Sequence, residues 1–112
     1  MKCFVLFRLK PGVTPEQYET WFREVNVPAA LTLQTSRHYR VWRVSGVMEG
    51  EPTFQYLEEM EIDDRAAFEA EIGSSEAMGA MLERWYERIA DQVIVFAGEV
   101  PQGAGGAAQR TA

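Results

Sequence analysis

The chain is poor in the residues that usually carry a cofactor or a covalent intermediate. Its 112 residues include one cysteine, Cys3, and one histidine, His38. A lone cysteine forms no internal disulfide and no thiolate cluster, and its place in the apolar segment CFVLFRL marks it as a core residue rather than a reactive thiol. One histidine without a cysteine cluster supplies no zinc or haem ligand set, so no metal site is expected. Neither GxGxxG nor a P-loop occurs, the tail GAGG precedes no patterned segment, and no serine sits in a GxSxG elbow. No tightly bound cofactor is expected either. Apolar runs fall well short of the roughly 20 residues that cross a bilayer. Met1-Lys2 leads straight into strand-like sequence, without the cleavage region of a secretory leader. Positive charge is scarce: 11 Lys and Arg stand against 17 Asp and Glu, a net charge of −6, which disfavours phosphate backbones and anionic membranes. Together these absences predict a cytoplasmic domain with no nucleic-acid or membrane partner.

What is present is ordinary globular composition, 46% hydrophobic and 25% charged, enough for one domain with its own core. Lys2–Leu9 reads as a strand, apolar on both faces and stopped by Pro11-Gly12. Thr14-Pro15-Glu16-Gln17 reads as a capping box with proline at the first helical position. Tyr18, Trp21, Phe22 and Val25 then form a helical stripe that should fade before Pro28. Ser36–Gly46 and Thr53–Ile62 read as a β-hairpin, followed by a short helix broken at Gly73. A second helix carries Met78, Met81, Leu82, Trp85 and Ile89 at helical spacing, and Gln92–Val100 closes the pattern as a strand. The order β-α-β-β-α-β predicts an α+β, ferredoxin-like fold over residues 1–100: a four-stranded antiparallel sheet with helices on one face. Residues 101–112, PQGAGGAAQRTA, have no core-forming pattern and should be a disordered tail. The first strand's second apolar face calls for a partner, and a homodimer packing sheet on sheet supplies one.

The hairpin holds the chemistry-bearing residues. If its turn pairs Val47 with Thr53, opposed residues can be assigned to faces. One face takes Tyr39, Val41, Arg43, Ser45, Gln55, Leu57, Glu59 and Glu61. The other, more apolar and therefore expected under the helices, takes Trp42, Val44, Phe54, Met60 and Ile62, with His38, Arg40, Tyr56 and Glu58 among them. Charged groups in an apolar layer titrate abnormally. His38 and Glu58 would then serve as an acid–base pair, with Arg40 and Tyr56 orienting or stabilising charge. Trp21, Trp42, Trp85, Met78 and Met81 would form a flat apolar wall for an aromatic ligand. A bulge would exchange the faces. Plainer alternatives stand beside this one: His38 at the rim, Glu58 in the solvated run EEMEID, and Arg–Glu pairs laddering the hairpin surface.

The segments MKCFVLFRLKPGVTPEQYETWF, NVPAAL and RIADQVIVFAGEV resemble the dimeric α+β barrel superfamily, and within it the RedY-like group from prodiginine and bisindole pigment pathways. The resemblance covers residues 1 to about 100. It implies a homodimer of ferredoxin-like units, a ligand pocket between helices and sheet, and a cofactor-independent tailoring role on a reactive aromatic intermediate. EthD-like relatives carry a histidine where this chain has Asn26, which is taken as a substrate-binding position. Polyketide-cyclase relatives place a histidine before the last helix, where SSEAMGA has none. The leading expectation is therefore a cyclisation or proton-transfer enzyme acting on a small aromatic, bisindole- or pyrrole-type molecule. Its alternatives are a cofactor-free monooxygenase of aromatic polyketides and a non-catalytic dimer that shelters a pathway intermediate.

Overall fold

In the computed structural model, residues 1–103 are described; residues 104–112, most of the expected disordered tail, lie outside the described residues. The elements are β1 (Lys2–Leu9), α1 (Pro15–Trp21), a π-helical turn (Phe22–Asn26), α2 (Val27–Ala30), β2 (Ser36–Arg43), β3 (Tyr56–Ile62), α3 (Arg65–Ser74), α4 (Glu76–Arg88) and β4 (Ile89–Ala97). The sheet is antiparallel with strand order β2-β3-β1-β4, and the helices cover one face. This is the ferredoxin-like α+β fold expected from the element order. Among the described residues, no helix is long and apolar enough to cross a membrane.

Local chemistry explains most element boundaries. Pro11-Gly12 ends β1, with Gly12 at φ 90°, a conformation that costs glycine nothing. The capping box forms as read: the Gln17 amide donates to Thr14 Oγ1, and the Thr14 amide donates to Gln17 Oε1, each at 3.1 Å. The helix does not fade before Pro28. It widens into a π turn in which the Val27 amide donates to the Phe22 carbonyl, then continues as α2. A proline inside an α-helix loses a hydrogen bond and collides with the carbonyl four residues back; a wider turn accommodates both. Gly73 is inside α3, and the break falls at Ser75, which is extended and caps α4 by accepting from the Met78 amide. β4 starts at Ile89 rather than Gln92, because α4 passes directly into it.

The inner face of the sheet buries Cys3, Val5, Phe7 and Leu9 of β1 and Tyr56, Met60 and Ile62 of β3 against Tyr18 of α1 and Met78, Met81 and Trp85 of α4. Phe7 is at the centre, its ring 5.4–5.5 Å from those of Tyr18, Tyr56 and Trp85. Across the outer face, Trp42, Leu57, Leu6 and Val93 stand in register on the four strands, an apolar row with Trp42 and Val93 half exposed.

Candidate active site

The hairpin register decides which residues reach the interior. Ser36 pairs with Ile62 and Arg37 with Glu61, but beyond a bulge Arg40 pairs with Glu59, Val41 with Glu58 and Arg43 with Tyr56. His38 and Tyr39 together oppose the single residue Met60, and His38 takes φ 56°. The extra residue turns the rest of β2 over. Tyr39 and Val41 therefore face inward, whereas Arg40 and Trp42 face outward, the reverse of the expected assignment. His38 is exposed at the bulge. Trp42 is 50% exposed and donates its indole N–H to Glu59 on the outer face, at 2.9 Å. The inner set His38, Arg40 and Trp42 thus does not form beneath the helices. Ser36 and Arg37 keep the parity of a Val47–Thr53 register, but from Arg40 to the turn the pairing is offset by one residue, and the bulge at His38 and Tyr39 separates the two registers.

Five other expected residues, Glu58 among them, meet at one cavity. Asn26, Met78, Met81 and Trp85 line a space of about 150 Å³ together with Glu58, Tyr39, Cys3, Val5, Phe68 and Ile72, and with exposed Tyr86 and Ile94 at the rim. Tyr56 and Trp21 are outside it. The Tyr56 hydroxyl donates to Glu19 Oε2 at 2.7 Å, where Arg43 Nε also approaches to 3.4 Å. Trp21 packs beneath the Arg88 guanidinium, 4.6 Å from its ring centroid, and its buried indole N–H has no acceptor among the described residues.

The polar end of the cavity is a small network in an otherwise apolar lining. Glu58, 5% exposed, projects from β3, and Asn26, 2% exposed, projects from the last position of the π turn. π turns inside helices recur at functional sites because they re-aim a side chain. The Tyr39 hydroxyl makes a short hydrogen bond to Glu58 Oε1 and lies 3.2 Å from Asn26 Oδ1. One hydroxyl carries one proton, so Tyr39 donates to one of these acceptors at a time. Tyr18, which accepts from Trp85 Nε1 at 3.1 Å, adjoins Asn26 from the other side.

Burial sets the protonation of this network. Loss of water raises the Glu58 carboxyl to about 7, against a smaller lowering by the Tyr39 hydrogen bond. Burial, and then the nearby Glu58 charge, raise Tyr39 and Tyr18 and take Cys3 up to about 11. Cys3 is therefore a protonated thiol in the cavity wall. Glu58 forms no ion pair with any described residue, while Lys2, Arg37 and Arg65 pair with carboxylates elsewhere. Among the described residues, no three of His, Cys, Asp and Glu converge as a metal site. The arrangement can take up and return a proton near neutral pH, in an apolar-lined space large enough for a planar ring. Tyr39 escaped the sequence reading because no local signal in SRHYRVWR marks the bulge.

Solved structures with this fold are numerous. HapK from Hahella chejuensis superposes with a TM-score of 0.68 at 19% identity, over 94% of this chain and 100% of its own. A dimeric ferredoxin-like protein of unknown function from Thermobifida fusca gives 0.66 at 25% identity, over 87% of this chain and 89% of its own. A protein of Arabidopsis thaliana gives 0.72 at 14% identity, over 89% of this chain and 95% of its own. No curated protein sequence matches the chain. The family model described as REDY-like protein HapK matches residues 1–100. The chain is thus a member of the REDY-like HapK family.

Proposed function

We propose that the protein is a cofactor-independent tailoring enzyme in which Glu58 moves a proton on an aromatic substrate held in the cavity, promoting cyclisation or tautomerisation of a bisindole- or pyrrole-type intermediate. One observation carries the proposal: a buried carboxyl, paired with no cation among the described residues, at the polar end of an apolar cavity. Ionised Glu58 takes a proton from the substrate, with Tyr39 donating to its Oε1. Once protonated, it returns that proton at another substrate atom, and the Tyr39 hydroxyl is released toward Asn26. The proton is conserved and no oxidant is consumed, so oxygen uptake during turnover would instead support the monooxygenase alternative.

Turnover of a bisindole substrate, followed by wash-in of solvent deuterium, tests this. We expect kcat/KM to rise with pH through about 7 and Glu58→Gln to lower it by about 10²-fold or more. His38→Ala should leave it unchanged, as His38 is exposed at the bulge, away from the cavity lining. Full turnover in Glu58→Gln would sink the proposal; tight binding without any product would leave the sheltering role. We also take the outer sheet face as a homodimer interface. The Trp42–Leu57–Leu6–Val93 row supports this, as does the dimeric description of the Thermobifida fusca relative.

A further inference from the structure

The two oxygens of Glu58 are not equivalent. Oε1 is bound by Tyr39, whereas Oε2 accepts no hydrogen bond from any described residue, although the side chain is almost wholly buried and lines the cavity. Oε2 is not sealed off as the Trp21 indole N–H is; it opens on the cavity, whose mostly apolar lining offers it few polar partners, so a donor on a ligand would supply what the wall does not. Every element packed around it has been used without supplying that partner. β1 offers the Cys3 thiol and β2 the Tyr39 hydroxyl, already engaged. The first helix offers Tyr18 and Asn26, which adjoin each other. α3 presents Phe68 and Ile72, and α4 presents Met78, Met81 and Trp85, whose indole N–H goes to Tyr18. Among the described residues, no lysine, arginine or histidine lines the cavity.

We propose that the cavity selects flat aromatic ligands whose cationic or N–H donor nitrogen meets Glu58 Oε2, and that it rejects anions of the same shape. A delocalised, weakly hydrated cation gives the carboxylate the partner the chain withholds. An anion would meet a like charge in an apolar-lined site where no described residue supplies a cation to offset it, and could enter only by holding Glu58 protonated. Size limits the ligand as well. A cavity of about 150 Å³ matches engineered apolar cavities that hold one benzene ring. One ring is therefore seated inside, and the remainder of a two-ring ligand lies at the rim against Tyr86 and Ile94. This inference rests on the cavity being the ligand site, but not on Glu58 transferring a proton.

Benzamidine, benzamide and benzoate share a shape and differ in charge, which makes them suitable probes. Titrated into the full chain by calorimetry at about pH 8, benzamidine should bind on the order of tenfold tighter than benzoate, with benzamide between them. Benzamidine affinity should fall as the pH drops through about 7, as Glu58 takes up a proton, and benzoate affinity should rise. Glu58→Gln should flatten both pH trends, whereas Glu59→Gln, on the outer face, should leave them intact. Circular dichroism shows whether each variant is folded, and Tyr39→Phe, which keeps the carboxylate, should retain the preference for the cation. Equal affinities for the three probes, or a preference for benzoate, would overturn the inference while leaving proton transfer by Glu58 open. Binding of none of them would overturn both this inference and the cavity as an aromatic site.

Discussion

Glu58→Gln should make the protein more stable at alkaline pH, and the size of the gain follows from burial. In the unfolded chain this carboxyl titrates near its ordinary value of 4.5, whereas in the folded chain it titrates near 7. Folding thus binds a proton in the window between those values. Below about 4.5 both states are protonated and the shift has no effect on stability. As the pH rises through the window the unfolded state ionises first, and stability falls; above about 7 the loss is complete. A displacement from 4.5 to about 7 corresponds to about 3 kcal/mol at 1.36 kcal/mol per pH unit. For a domain of this size that is a substantial share of the total, typically about 5–15 kcal/mol. Glutamine keeps the shape and cannot ionise, so the variant escapes the penalty. The assay is urea unfolding followed by tryptophan fluorescence, at one protein concentration, at about pH 5 and about pH 8. The difference between variant and wild type should grow by about 2.5 kcal/mol between the two conditions. Subtraction removes the opposite contributions of Glu59, Asp63 and Glu71, whose partners hold them below the usual carboxylate range. A difference that stays flat with pH would refute the burial argument, and with it the view of Glu58 as a proton carrier near neutrality.

Two further outcomes follow from the same geometry. Glu71 on α3 accepts from the Gln34 and Thr35 amides and the Thr35 hydroxyl at 2.5–3.1 Å, latching the segment that carries cavity-lining Leu33. Glu71→Ala should abolish hydrogen-exchange protection of those two amides while changing global stability by only about 1 kcal/mol; protection that persists would show that the latch is not what holds the segment. On the outer face, Leu6→Lys places a charge in the middle of the apolar row proposed as the dimer interface, and light scattering should give a dimer mass for the wild type and a monomer mass for the variant. An unchanged mass would move the interface elsewhere.

Patterning and turn chemistry determined most of the fold. The capping box at Thr14, the helical stripes and the stop at Pro11-Gly12 are local rules, and local rules reproduce the β-α-β-β-α-β order because the interactions that enforce them span only a few residues. The candidate site was legible in part for the same reason. Glu58 alternates with Tyr56 and Met60 on a strand whose inner face is plain from its apolar residues, and Met78, Met81 and Trp85 share one helical face. Two features were decided only by the tertiary structure. The π turn carries the first helix past Pro28 and aims Asn26 inward, and the bulge at His38 brings Tyr39 to Glu58 while turning Arg40 and Trp42 out. A strand's side chains alternate with a period of two, so one inserted residue reverses every position beyond it. Whether that insertion forms depends on the packing of Tyr39 and Val41 under the helices, which no stretch of β2 encodes alone. The composition of SRHYRVWRVSG was settled in the sequence; which of its residues touch the buried carboxyl was settled by a single bulge.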